Sequence, residues 1–135
     1  MNADVIHALA KATLEGSAPF PQIVGQLISE GVEYYHVDYA ACLFTFYSAA
    51  GSTVVAPLAF EGLPSIAADL HVTGLQAAIL DSQQHGQTFR RFCERTMRAG
   101  VQGYFAFLRG QRVTYLGRKG DQHVEWFPGA KPGDV

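Results

Sequence analysis

Charge is scarce in this 135-residue chain. Asp, Glu, Lys and Arg make up 16% of it and hydrophobic residues 48%, whereas an ordinary soluble domain is about one quarter charged. Such a composition excludes a disordered polyelectrolyte and calls for a real core. Cysteine is scarcer still. Cys42 and Cys93 are the only two, with no second Cys or His at ligand spacing, so neither a disulfide framework nor a zinc ribbon is encoded. Each is expected as a small thiol in the core. A secretory leader is also missing: Asp4 precedes any Lys or Arg, and the apolar run Val5–Ala10 is short, which makes a cytoplasmic location the default expectation.

Tyr39–Phe60 holds no charged residue, a length that could cross a bilayer. Its middle, however, is Ser48-Ala49-Ala50-Gly51-Ser52-Thr53, and its flanks are Asp38 and Glu61 in place of Lys or Arg. Aromatic and β-branched residues on both sides of that turn predict a buried hairpin and no membrane contact. Phosphate loop, nucleophile elbow and dinucleotide fingerprint are all absent. His7, His71, His85 and His123 are scattered without a second ligand at helical or strand spacing. No catalytic residue, metal set or cofactor is therefore assigned.

What the chain does contain is a repeat. Phe20, Gly31, Val32 and Tyr35 recur as Phe89, Gly100, Val101 and Tyr104 at a constant offset of 69, with Ile23, Val24 and Ile28 matched by Phe92, Cys93 and Met97. Phe89, Phe92, Cys93, Thr96 and Met97 form a core-facing helical stripe, and Phe20 is expected in the core position that matches Phe89. Gly31 and Gly100 sit where a helix ends in positive φ, and Pro21 suits a first helical turn. Strands are predicted at Val32–Tyr39, Leu43–Tyr47 and Thr53–Pro57, and again at Val101–Leu108, Arg112–Leu116 and His123–Phe127. Amphipathic helices are predicted over Asp4–Leu14 and Leu75–Gln84, the latter capped by Thr73.

These elements predict an α+β domain over 1–127: a helix–helix–hairpin unit repeated at about 2–58 and 72–127. About four helices should pack on one face of a mainly antiparallel sheet of about six strands, with the halves related by a pseudo-twofold axis. Two subdomains with separate sheets are the alternative. Residues 128–135 are expected as a flexible tail.

Gly31-Val32-Glu33-Tyr34-Tyr35-His36-Val37-Asp38, Ala99-Gly100-Val101 through Tyr104, and the closing Tyr115-Leu116-Gly117-Arg118 and Glu125-Trp126-Phe127-Pro128 resemble the YbcV-like family of small bacterial proteins. The likeness covers nearly the whole chain. What it implies is a domain of unknown function, sometimes labelled a phage envelope protein, and no site residues carry over from it.

Two groups of side chains could still carry function. Tyr34, His36 and Asp38 alternate along one strand and share a face, so Asp38 could orient the imidazole, raise its pKa or share a metal with it. At the equivalent positions of the second copy, His36 and Asp38 become Phe105 and Phe107. The second group is basic. Residues 1–88 hold one base against eight acids, and residues 89–120 hold eight bases against one acid, net charges of −7 and +7. Arg91, Arg95 and Arg98 lie opposite the apolar stripe and are candidates for an anionic ligand or a nucleic acid. A solvated helix face, or attraction between the two halves, would explain the same asymmetry. A non-enzymatic interaction module, able to form a homodimer, is the leading expectation. A nucleic-acid or anion binder using the Arg90–Arg98 helix comes second, and a small enzyme centred on His36 and Asp38 third.

Overall fold

The structure, a computed structural model, describes residues 1–131. Helices α1 (Ala3–Glu15) and α2 (Phe20–Ser29) lead into strands β1 (Val32–Asp38), β2 (Leu43–Ser48) and β3 (Thr53–Pro57). Helices α3 (Val72–Gln84) and α4 (Phe89–Arg98) then lead into β4 (Val101–Phe107), β5 (Arg112–Gly117) and β6 (Gln122–Trp126). The six strands form one antiparallel sheet in the order β3-β2-β1-β4-β5-β6. The predicted α+β class is present, and the two-sheet alternative is replaced by a single continuous sheet.

The offset of 69 runs through the architecture. All ten elements pair at it, α1 with α3 and β3 with β6 included. The ladder pair Tyr35↔Phe46 recurs as Tyr104↔Tyr115, and Val32↔Ser48 recurs as Val101↔Gly117, each followed by a bulge at the same place. Backbone conformation repeats as well. Gly31 and Gly100 have φ of 87° and 94°, and each ends its helix as expected. The β1–β2 and β4–β5 turns place Cys42 and Gln111 at φ 55° and 56°. Cys42 is therefore an exposed turn residue and not the expected core thiol, whereas Cys93 is fully buried.

The core lies between the helices and one face of the sheet, where Tyr35, Val37, Phe44, Phe46, Tyr104 and Ala106 meet Ile6, Leu9, Ile23, Leu27, Phe92 and Met97. Thr96 is buried among them, and its hydroxyl donates to the Cys93 carbonyl (3.1 Å) while accepting from the Tyr39 hydroxyl (2.8 Å). A buried polar pair that satisfies itself in this way costs the core little. Tyr39–Phe60 forms the expected hairpin, and no helix among the described residues is long and apolar enough to cross a membrane.

The halves differ in how their helices are covered. The segment 58–71 runs beside α4: the Phe60 ring lies 6.1 Å from Phe89, the Ala67 amide donates to the Met97 carbonyl, and the His71 amide donates to that of Ala99. Among the described residues nothing equivalent lies along α2, and Phe20 and Ile28 are 51% and 52% exposed where Phe89 is half-buried and Met97 is 4% exposed. The expectation of matching core positions for Phe20 and Phe89 fails for that reason. His71, not Thr73, caps α3, its Nδ1 accepting from the Gly74 amide at 3.1 Å. Pro128–Ala130 make a turn after β6, and the rest of the expected tail, 132–135, lies outside the described residues.

Candidate functional site

With all four helices on one side, the described residues leave the other face of the sheet open. Strand alternation assigns its residues: next to the buried Tyr35 and Val37, the side chains of Tyr34, His36 and Asp38 turn the opposite way. They do share a face, as expected. The strand registers extend that face into three rows of six. The middle row reads Val55, Thr45, His36, Phe105, Thr114, Val124. The second reads Thr53, Tyr47, Tyr34, Phe107, Arg112, Trp126, and the third Pro57, Leu43, Asp38, Gly103, Leu116, Gln122.

A solvated face of an antiparallel sheet is ordinarily polar. Here Asp38 and Arg112 alone carry a full charge, and Val55, Val124 and Leu43 stand 49%, 43% and 36% exposed. The second row is nearly continuous π-surface. Tyr34 stacks on Tyr47 at 4.6 Å and 12°, lies 5.8 Å from Phe107, and the Arg112 guanidinium sits 4.1 Å over the Trp126 ring. Phe107 also stacks on Phe105 (5.9 Å), and Phe105 on His36 (4.3 Å). Aromatic pairs at such separations stabilise one another by about 0.5–1.5 kcal/mol beyond their burial.

In this geometry Asp38 is turned to its own strand end and forms no hydrogen bond with His36 among the described residues. Burial between its neighbours is the larger influence on the imidazole and lowers its pKa; Asp38 pulls the other way and is outweighed. The sequence had suggested a raised value. The Asp38 Oδ1 atom instead accepts the Ala41 amide at 3.0 Å, fastening the β1–β2 turn. Among the described residues no three or more His, Cys, Asp or Glu side chains come together as a metal site. A cavity of about 20 Å³ between α1, α2 and the sheet, lined by Leu9, Ile23, Leu27, Tyr35 and Tyr104, has room for one water and no substrate.

Two of the four arginines on the basic helix are engaged inside the molecule. Arg95 donates to the Asp81 carboxylate and to Gln87 Oε1 (2.9 Å), tying α4 to α3. Arg90 donates to the Glu61 carbonyl and lies 5.4 Å over the Phe60 ring, fastening the connecting segment. Arg118 donates to the Ile66 carbonyl (3.2 Å), and Lys119 pairs with Asp69 (2.5 Å). The opposite charges of the two halves thus meet across the connector and α3. Arg91 and Arg98 are exposed, with no acidic group within 4 Å among the described residues, and they are all that remains of the proposed anion-binding face. Arg95 is held against α3 by its contacts to Asp81 and Gln87.

Sequence reasoning missed Tyr47, Arg112 and Trp126 as site residues and read Phe105 and Phe107 only as apolar replacements. Their period-2 spacing was visible, but its meaning depended on β1 and β4 being neighbours. No protein-family model matches the chain, and no curated protein matches it significantly.

Proposed function

We propose that this chain is a non-enzymatic interaction module whose working surface is the open aromatic face of its sheet. One observation carries the reading: the stacked row Tyr47–Tyr34–Phe107 with Arg112 over Trp126, on a face with one acid and one base. Aromatic residues and Arg concentrated in a patch depleted of other charges are the composition of interface cores. The recurrence of every element at an offset of 69 supports an origin by internal duplication, and two unpaired thiols suit a reducing, cytoplasmic setting. The resemblance to YbcV-like proteins, a family without an assigned activity, fits a module of this kind.

The test is whether the face is adhesive when the protein is dilute. A solvatochromic apolar dye such as anilinonaphthalene sulfonate should bind the folded protein at submicromolar concentration. Phe105→Lys with Phe107→Lys should abolish that signal while leaving near-ultraviolet circular dichroism native. Absence of dye binding by the unaltered protein while it is monomeric would defeat the proposal.

A further inference from the structure

The face that the proposed function relies on has a shape from which its partner can be read. We infer that the partner is a second copy of this chain, docked face to face so that two six-stranded sheets form a sandwich.

The backbone of the face is closely symmetric and its side chains are not. Under the offset of 69, the second row of one half maps onto the third row of the other: Tyr47 corresponds to Leu116, Tyr34 to Gly103, and Phe107 to Asp38. Bulk has been placed in one row and withdrawn from its twin. By side-chain size the ring row stands as a ridge and the parallel third row, centred on the buried Gly103 and on Asp38, as a shallow trough of equal length. Isologous docking needs such a self-complementary pattern. With a twofold axis along the middle row, Phe107 of each copy comes over the glycine of the other, and Tyr34 comes over the partner's carboxylate. A residue larger than glycine is excluded from the trough's centre: a Cβ on Gly103 would lie 2.5 Å from the Val37 carbonyl oxygen.

Charge and area agree. The ridge carries the base, Arg112, and the trough the acid, Asp38, so reversing a second copy brings base and acid to the same side. A nucleic acid would find a single cation on the face, already stacked on Trp126, and phosphate binding needs several. Six strands about 4.8 Å apart and five residues tall span roughly 29 by 17 Å. That footprint of about 500 Å² in projection, larger as accessible surface, approaches the roughly 800 Å² that each partner gives to a stable interface. Aligned sheets pack about 10 Å apart, a spacing that interdigitated rings fill.

The experiment is a mixing test on the full chain. Sedimentation equilibrium of the unaltered protein should show a monomer–dimer equilibrium, with dye binding falling as protein concentration rises. Arg112→Glu makes the face doubly acidic, and Asp38→Lys makes it doubly basic. Each should raise the dimer dissociation constant at least tenfold, and an equimolar mixture should recover a species of twice the monomer mass. Where Asp38→Lys loosens the β1–β2 turn, Leu43→Lys adds a positive charge to the same row without touching the Ala41 contact. A protein that binds dye but stays monomeric at every concentration would overturn the dimer and leave the interaction surface standing. Failure to bind dye while monomeric would overturn both. A dimer unaffected by these charges, or salt-sensitive capture of a single-stranded oligonucleotide by the face, would overturn this assignment.

Discussion

His36 and Phe105 are cross-strand partners exactly one repeat apart, their rings stacked at 4.3 Å and 17°. A residue that pairs with its own repeat equivalent marks the place where a twofold relation crosses the sheet. The centre of the molecule is thus a seam between β1 and β4, and the stacked pair on it faces away from the helices. This relation makes one sheet out of two hairpins and puts the sequence's most suggestive histidine among aromatics and not in a cleft.

Core packing on the two sides of the seam should respond unequally to truncation. Phe92 is 9% exposed and meets Tyr104 edge-on at 6.3 Å, with Tyr115 at 6.5 Å. Phe92→Ala is expected to cost about 3–5 kcal/mol in denaturant unfolding. Phe20→Ala removes a ring that is half in solvent and should cost less than about 1.5 kcal/mol. Equal losses would show that α2 is covered in solution.

A second contrast isolates the connecting segment. Gly31 and Gly100 share a left-handed backbone, but a Cβ on Gly31 meets nothing within 4 Å, whereas one on Gly100 would lie 2.1 Å from the Asp69 carbonyl oxygen. Gly31→Ala should cost about 1–2 kcal/mol, the conformational term alone. Gly100→Ala should cost clearly more, and it should raise hydrogen exchange at the Ala67 and His71 amides, which the segment donates to α4 and its cap.

Stability should fall on mild acidification because of His36. Its pKa is depressed in the folded protein, burial being the larger cause and Asp38 the smaller opposing one; Thr45 and Phe105, which face it from β2 and β4, carry no charge. Above about pH 6.5 the imidazole is neutral in both states and contributes no pH dependence. As pH falls below that value the unfolded chain takes up the proton first, so stability declines until the folded value is passed. His36→Gln should remove that part of the slope. The lowered pKa values of Asp69 and Asp81, held by Lys119 and Arg95, act in a separate window below the ordinary carboxylate range.

The Arg95 contacts predict how α3 is held. Arg95→Gln removes the bond to Asp81, leaving α3 with its apolar contacts at Leu75, Ala78 and Ile79. Faster amide exchange confined to α3 is expected, with β1 and β4 unchanged. Arg91→Glu with Arg98→Glu, both exposed, should leave α3 exchange as it was. Equal effects from the two variants would return Arg95 to the solvent face.

The sequence by itself determined the elements and their repetition. Periodicities of 3.6 and 2 are local, and so is the need for positive φ at Gly31 and Gly100; these placed all ten elements to within a few residues. Ends that depended on a particular side chain were less legible, and His71 takes the cap expected of Thr73. Tertiary structure decided everything that required two distant segments to meet. Whether Arg95 faced water or Asp81 depended on where α3 lay. Whether Phe20 was buried depended on a covering segment, which among the described residues lies along α4 and not along α2. The aromatic face exists because β1 and β4 pair antiparallel: strand alternation fixes which side of its own strand a ring occupies, and only the pairing brings Tyr34, Phe105 and Phe107 onto one surface.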